Sequence, residues 1–452
     1  MWIGKHQARG GRFSLHLALA VTALAALLGG AAFYFLLAAD TEPAPAGASV
    51  DEFLEAHWRN PLPPQGDPPR RFPAREASTD ARACGECHQA QYADWQTSQH
   101  SNTMNAGIRW QFYLFDQQDS NHCMQCHAPM TEQQALQALD REWEGAPDEP
   151  PPGFIPGDLH KQGLTCAACH VRGHERYGPP SRSGLDGDEW GLPHGGFQPH
   201  EAFSDPRFCA NCHQFEEDGP RLNGKLRQDT NNEWRASPYA EAGITCQDCH
   251  MPDRRHLWRG ITDPEMVRNA LTVNLEVGQA AEGEKELTVD LTNTGAGHHV
   301  PTYMVPRIDV DVVLVGPDGA SREEILHYPI QWRASLDLTE ERYDQRIPAG
   351  ESLTLRETIP ETGEAGWRLR LEVYVTPKEH YERVYRDYLQ RADRLHPESA
   401  ALLRQALEEA EETRFTALVL ERPLDEPGTT RHQGATLENW RERFGKEVTS
   451  GE

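Results

Sequence analysis

The chain has 452 residues, 38% of them hydrophobic, and a formal net charge of −26. A chain this acidic is a poor match for nucleic acid, whose phosphates call for a basic surface, and its length allows two or three domains. Six of the 44 basic residues are lysine and the rest arginine. Codon bias is the plain account of that ratio; the sharper one is that guanidinium forks clamp buried carboxylates bidentately.

Residues 13–39 carry no formal charge over 27 positions, and about 20 apolar residues suffice to cross a bilayer as a helix. Lys5, Arg9 and Arg12 precede the run, and Asp40, Glu42, Asp51 and Glu52 follow it. The positive-inside rule then keeps residues 1–12 in the cytoplasm and puts the rest in the periplasm, as a single-pass protein of the inner membrane. A cleaved signal peptide is the rival reading, with Ala44-Pro45-Ala46 mimicking a cleavage site, although such peptides usually have apolar cores of roughly 7–15 residues. Residues 40–79 hold eight prolines and little periodicity, the composition of an extended tether.

Residues 80–262 hold all ten cysteines, as the pairs Cys84/Cys87, Cys123/Cys126, Cys166/Cys169, Cys209/Cys212 and Cys246/Cys249. Each pair is followed at once by a histidine: His88, His127, His170, His213 and His250. C-x-x-C-H is the attachment site of c-type heme. The two thiols add to the two vinyl groups on one porphyrin edge, and the adjacent imidazole reaches the iron as proximal ligand. Zinc or redox C-x-x-C pairs would not repeat a histidine at a fixed offset five times. Five covalent hemes are therefore expected. The first cysteines lie 39, 43, 43 and 37 residues apart without an internal repeat, so short helices and Pro/Gly-rich loops must wrap a core made largely of heme.

Each iron keeps a second axial position. A second histidine gives a closed, low-potential carrier, methionine raises the potential, and an empty position permits substrate chemistry. The wider set of histidines able to serve is His57, His100, His122, His160, His174, His194, His200, His256, His298 and His299. The segments ACGECHQAQYADWQTSQH (83–100), CMQCHAPM (123–130), GLTCAACHVRG (163–173), FCANCHQF (208–215) and EWRASPYAEAGITCQDCHMP (233–252) resemble multiheme c-type cytochromes. The group in question includes the tetraheme electron acceptor of hydroxylamine oxidoreductase, and the likeness covers about residues 80–255. It implies that the histidine of a W-x-x-S-x-H frame is a distal ligand, here His100 after Trp95 and Ser98. It also points to histidines just upstream of the next motif: His160, His194 and, more weakly, His200. His174 is a further weak candidate. Trp234 and Ser237 repeat the frame, but Tyr239 stands where the histidine would be. A tyrosine can ligate heme iron, and it can equally pack on its helix and find one hydrogen bond.

From residue 268 to 423 the texture changes. Segments 271–277, 286–292, 307–315, 324–330, 352–358, 367–375 and 416–422 alternate apolar with polar, the pattern of half-buried strands. Gly278, Gly295, Pro317-Asp318-Gly319 and Ala349-Gly350 supply turns. Seven short strands at this spacing predict an immunoglobulin-like β-sandwich, interrupted by a charged helical hairpin at 377–413. Residues 424–452 read as a loose polar tail. One loop, Asn293 to Thr302, carries His298 and His299 between glycines and Pro301. A sandwich turn needs glycine but no histidine pair. The stretch resembles one in β-domains appended to multiheme cytochromes, which implies that His298, with His299 as the weaker candidate, reaches across the domain boundary to an iron. A polar surface loop is the plainer alternative.

The expectation is a multidomain chain: a transmembrane helix, a helical and loop-rich pentaheme cytochrome c domain, and a β-sandwich with a helical insertion. No motif has a variant proximal residue, so an electron relay is favoured over an enzyme. Its donor would be a quinol-side enzyme or a cytochrome, and its acceptor a periplasmic or extracellular cytochrome or reductase. The alternatives are a reductase or oxidase of small nitrogen or sulfur species with one open heme, and a scaffold subunit of a larger electron-transfer complex.

Overall fold

The computed structural model describes residues 47–149, 151–182, 192–319, 322–362 and 365–444. The apolar segment expected at 13–39, the N-terminal residues 1–12 and the start of the proline-rich stretch lie outside the described residues. No described helix is long and apolar enough to cross a membrane. The chain divides into two units, residues 1–57 and 58–452. In the first, helix α1 (Val50–His57) is started by Ser49, whose hydroxyl accepts from the Glu52 N–H while the Glu52 carboxylate accepts from the Ser49 N–H at 2.8 Å, a reciprocal cap.

In the second unit, the helices up to residue 270 are short. They are α2 (Ala74–Ala77), α3 (Ala81–Gly85), α4 (Gln89–Gln96), α5 (Ala106–Arg109), α6 (Gln117–His127), α7 (Thr131–Asp140), α8 (Cys166–His170), α9 (Arg207–His213), α10 (Thr230–Arg235), α11 (Pro238–Glu241), α12 (Cys246–His250) and α13 (Pro264–Ala270). Four of them end on a motif histidine. Side chains start three of the five motif helices: Asp80 accepts from Arg82 N–H, Asp116 from Asp119 N–H and Thr245 from Asp248 N–H, meeting donors that a helix start leaves open. Small strands join them: β1 (Val171–Arg172), β2 (Glu175–Gly178) and β3 (Gln198–Pro199) in one sheet, β4 (Arg221–Leu222) and β5 (Lys225–Leu226) in another.

Residues 58–79, expected as part of an extended tether, lie against the body. Leu62, Gln65 and Thr79 are buried, the Gln65 N–H donates to Glu132 Oε1 at 2.6 Å, and His174 Nε2 bonds the Gly66 carbonyl at 2.9 Å. Prolines lack an N–H, so an extended proline-rich strand can lie against the body with few donors to satisfy.

Ten strands follow: β6 (Leu271–Gln279), β7 (Glu284–Asn293), β8 (Arg307–Val315), β9 (Arg322–Ile330), β10 (Trp332–Ala334), β11 (Glu341–Asp344), β12 (Ser352–Pro360), β13 (Arg368–Thr376), β14 (Phe415–Pro423) and β15 (Gly428–His432). They form two four-stranded antiparallel sheets, β12-β7-β6-β15 and β14-β13-β8-β9, plus the β10-β11 hairpin. In register, Val289 faces Leu275 on one side and Leu355 on the other. Val273, Leu275, Val289 and Leu291 of one sheet share a core with Val310, Val312, Leu371 and Val373 of the other. Each such side chain contributes roughly 1.5–3 kcal/mol by leaving water.

Helices α14 (Glu379–Leu389) and α15 (Pro397–Glu411) lie between β13 and β14 and reach back to the cysteine-bearing region. Trp110 meets the rings of Tyr385 and Tyr388 edge-on at 6.2 and 4.9 Å, and Ser399 Oγ donates to the Trp110 carbonyl. The residues after 424 differ from the loose tail expected. Strand β15 pairs with β6, and on helix α16 (Leu437–Phe444) Trp440 packs against Tyr239 and Ile244. Apolar residues are so sparse in this segment that one tryptophan and an edge strand, rather than a periodic pattern, tie it down.

Candidate functional site

Four of the five motif histidines face a second imidazole at nearly one spacing. His88 and His194 have ring centres 6.4 Å apart, His170 and His256 6.1 Å, His213 and His100 6.3 Å, and His250 and His298 6.3 Å. Two imidazoles bound through nitrogen to opposite sides of one metal ion, at about 2.0 Å each, put their centres roughly 6.2 Å apart.

In most of these rings the other nitrogen is tied down. Nδ1 of His170 bonds the Tyr177 carbonyl, that of His213 the Tyr303 hydroxyl and that of His250 the Arg259 carbonyl. Across from them, Nδ1 of His194 bonds the Gly196 carbonyl, that of His256 the Arg254 carbonyl and that of His298 the His299 carbonyl. His100 Nδ1 is buried without a partner. Such second bonds fix the tautomer and leave Nε2 free to bind metal. Burial first, and neighbouring imidazoles next, lower His100 to about 3 and His250 to about 4; burial and His256 do the same to His170, at about 4. All three are neutral at pH 7, the form that a metal requires.

The backbone is strained where these rings are delivered. His194 has φ 45°, and the loop around His256 holds Asp253 at 55°, Arg254 at 62° and Trp258 at 41°. Such conformations cost on the order of 1–3 kcal/mol each and persist where the surroundings impose them. Around His256 the surroundings are Arg255, paired with the buried Asp94 of α4 at 2.6 Å, and the His256 N–H, which donates to the same carboxylate. Trp258 then lies between two rings, 4.6 Å from His100 and 5.0 Å from His256.

His298 sits in the loop after β7. The Asn293 amide donates to the His298 and Ile347 carbonyls. The glycines of this loop stand in close contact with neighbouring elements. A Cβ on Gly295 would stand 1.9 Å from the Asn269 carbonyl oxygen, and one on Gly297 would stand 3.1 Å from Tyr239 Cβ. They let the loop close onto the end of α13 and onto α11. Tyr239 is spent on the same closure, since its hydroxyl donates to the Thr294 carbonyl. His299 turns away to Glu233, 3.1 Å from Oε1. Burial works to raise that carboxyl, but His299, Thr302 and Arg346 together hold it below its ordinary value.

His127 differs from the other four. Its Nδ1 bonds the Thr103 carbonyl at 2.9 Å, and among the described residues no second imidazole faces it. The remaining sequence candidates stand elsewhere. His160 is buried beside Asp140 with neither ring nitrogen hydrogen-bonded, lowered to about 4 by burial and then Lys161. His174 bonds Gly66, and His200 Nδ1 accepts from the Ala202 N–H. His256, which no sequence motif singles out from the wider set, is the ring opposite His170.

The motif cysteines are free of disulfides, and most of them are close together. Cys84 with Cys166, Cys126 with Cys212, and Cys209 with Cys246 are near enough to perturb each other's thiols. Cys209 and Cys212 also feel Cys169. The five motifs thus form one continuous cluster, with the fourth next to the second, third and fifth.

Three of the ten predicted attachment sulfurs, Cys87, Cys123 and Cys249, lie outside this chain of contacts, and Cys87 and Cys249 are set apart from the others by their surroundings. Helix α3 of the first motif stops at Gly85, before the second cysteine, so Cys87 falls on the turn that follows and is exposed. Cys249 lies within α12 and is half-buried against the C-terminal side of the molecule, where it packs with Tyr239, Ile244 and Trp440. The motif spacing gives all ten sulfurs the same expected role and says nothing of this difference, which comes from where one helix ends and from what a distant helix covers.

Two thiols three residues apart, an imidazole beside the second and an imidazole opposite are the fittings of a covalent heme, and these fittings recur along one chain. They support a multiheme c-type cytochrome with covalently bound heme c, a class that transfers electrons. Residues 83–147 match the family described as cytochrome c554 and c-prime. The fold is similar to that of a penta-heme cytochrome c552 from Thermochromatium tepidum, with a TM-score of 0.52 and 17% identity over 78% of this chain and 100% of that one. No curated protein matches the chain.

Proposed function

We propose that the chain is a pentaheme electron carrier in which four irons are held by histidine pairs: His88/His194, His170/His256, His213/His100 and His250/His298. The observation that carries this reading is the common 6.1–6.4 Å spacing of those rings. Bound heme supplies one-electron redox chemistry between macrocycles. The chain holds the five attachment motifs in one cluster and fixes the tautomers of His194, His256 and His298 through Nδ1. Adjacent cysteine pairs give a relay in the order first, third and fourth motif, with the second and fifth motifs branching from the fourth. The exposed Cys87 puts the first motif at the surface end of that relay. The similar structure is that of a penta-heme cytochrome, which supports the count of five.

The finer reading follows the sequence. Residues 13–39 would anchor the protein in the inner membrane with the heme and β regions in the periplasm, between a quinol-side donor and a cytochrome or reductase acceptor. The two sheets would form an immunoglobulin-like sandwich whose loop supplies His298, and the heme region belongs with the group around the electron acceptor of hydroxylamine oxidoreductase. His127, which faces no second imidazole among the described residues, favours one addition from the alternative reading: a single heme open to a small ligand.

The test is a pyridine-hemochrome assay with a spin-state count. Five hemes per chain, four of them low-spin bis-histidine and one that binds carbon monoxide when reduced, are expected. Zinc in place of heme, or two or more carbon-monoxide sites, would refute the assignment. Enzyme-like turnover of nitrite, hydroxylamine or tetrathionate would shift the function from carrier to reductase.

A further inference from the structure

Three of the four opposing imidazoles donate Nδ1–H to a backbone carbonyl: His194 to Gly196, His256 to Arg254 and His298 to His299. The motif histidines His170 and His250 do the same, to Tyr177 and Arg259, and the motif histidine of the first pair, His88, is exposed, where water can accept from it. The pair His213/His100 differs on both sides. His213 Nδ1 meets a phenol, the Tyr303 hydroxyl, at 2.7 Å. His100 Nδ1 is buried with no hydrogen-bond partner among the described residues. Protein atoms alone cover it, so neither water nor a heme carboxylate can reach it. A buried donor left unmet costs stability, and a fold that keeps one calls for a reason, a redox role among them.

Packing holds the His100 ring in place of the missing bond. The His100 carbonyl accepts from the Leu164 N–H at 2.9 Å, which fixes its backbone. Its ring lies 4.6 Å from that of Trp258, tilted by 59°. Trp258 is itself anchored: its N–H donates to the His250 carbonyl at 2.9 Å, and the guanidinium of the next residue, Arg259, donates to the Thr97 carbonyl at 2.7 Å. The same indole lies 5.0 Å from His256. One residue thus touches axial histidines of the third, fourth and fifth sites, which puts the three side by side. The bond at Nδ1 sets how strongly an axial imidazole donates to iron. A carbonyl acceptor makes the imidazole more basic and favours the ferric state. An imidazole with no acceptor donates less, which favours the ferrous state and raises the potential. A phenol oxygen is a weaker acceptor than an amide carbonyl, so His213 acts in the same direction.

We propose that His100 and His213 give the fourth site the highest reduction potential of the four histidine-paired sites, so that the first electron to reach those sites rests there, beside the third and the fifth. The unmet Nδ1 of His100 is the main cause and the Tyr303 hydroxyl adds to it. Trp258 is the positioning residue that lets an unbonded ring keep its place. This rests on the pairing of His213 with His100.

A redox titration of the full-length holoprotein tests this, with the low-spin ferric signals followed by electron paramagnetic resonance. The signal that His100→Ala removes belongs to the fourth site. In wild type that signal should be the first of the four to disappear as the potential is lowered. Tyr303→Phe should keep all five hemes and all four low-spin signals, and should move the same site higher still. Its reduced-to-oxidised ratio at a fixed potential should grow about 3- to 10-fold, the net worth of one hydrogen bond, while the other three sites stay where they are. A wild-type titration in which another of the four signals disappears first would overturn the inference and leave the histidine pairs intact. A fourth-site potential that is unchanged or lower in Tyr303→Phe would overturn it too, because acceptors at Nδ1 would then not set the order. If His100→Ala keeps all four low-spin signals, the pairing itself is wrong and the inference falls with it.

Discussion

A histidine's position along the chain says less about its role than the ring it faces. His160 and His256 show this. His160 precedes the third motif by a few residues and is buried, yet among the described residues no second imidazole faces it, and Asp140 lies 3.9 Å from its Nε2. His256 follows the fifth motif and turns to the third, 6.1 Å from His170, because Arg255 and Asp94 pull its loop onto α4. Alanine substitutions should separate the two. His256→Ala and His298→Ala should each convert one heme from low-spin to a carbon-monoxide-binding form, raising uptake from one to two molecules per chain. His160→Ala should leave uptake at one. Uptake that rises in His160→Ala but not in His256→Ala would mean that the ring spacings do not report ligation.

At the scale of elements, the β7–β8 loop shows how a secondary-structure boundary becomes part of a redox site. Its conformation depends on contact with α13, where Gly295 N–H donates to the Ala270 carbonyl and a Cβ on Gly295 has no room beside the Asn269 carbonyl. Backbone cannot yield as a flexible side chain does. Gly295→Ala should therefore displace the loop, cost more than about 2 kcal/mol and release His298, seen as a high-spin signal from the fifth heme. Gly153→Ala, where no atom lies within 4 Å of the added carbon, is the matched control. A low-spin fifth heme in Gly295→Ala would show that the loop holds His298 by other means.

At the scale of the molecule, a buried charge cluster joins the heme region to the β region. Lys225 of β5 reaches Asp344 of β11 at 2.7 Å, Arg346 grips Asp344 at 2.8 Å, and Arg346 also binds Glu233 of α10 at 3.0 Å. Burial works to raise the Asp344 carboxyl, but the bonds from Arg346 and Lys225 outweigh it and lower the group from 3.8 to about 2. A depressed carboxyl contributes stability above its unfolded value, and that contribution is lost as pH falls toward the folded one. Asp344→Asn should therefore cost on the order of 2 kcal/mol at pH 7 and much less near pH 2, read as the shift in guanidinium midpoint at each pH. An equal shift at both pH values would argue that packing, not charge, makes this contact.

Much was decided locally and could be read from the chain. Covalent heme attachment needs two thiols and an imidazole within five residues, so the motifs carry it whatever the surroundings. Period-two alternation marks strands because neighbouring side chains point to opposite faces, and the segments around Val289 and Val373 show it plainly. His298 stood out because a turn needs Gly295 and Gly297 but has no use for imidazole. What the sequence could not decide is everything that depends on which distant groups meet. The partners His170–His256 and His213–His100 join residues 86 and 113 positions apart. Cys87 and Cys249 occupy the same place in their motifs, yet one is exposed and the other lies against Trp440. The burial of the proline-rich strand and of Trp440 depends on surfaces that exist only after folding. Axial coordination and burial are properties of opposed surfaces in space, and only the tertiary structure brings those surfaces together.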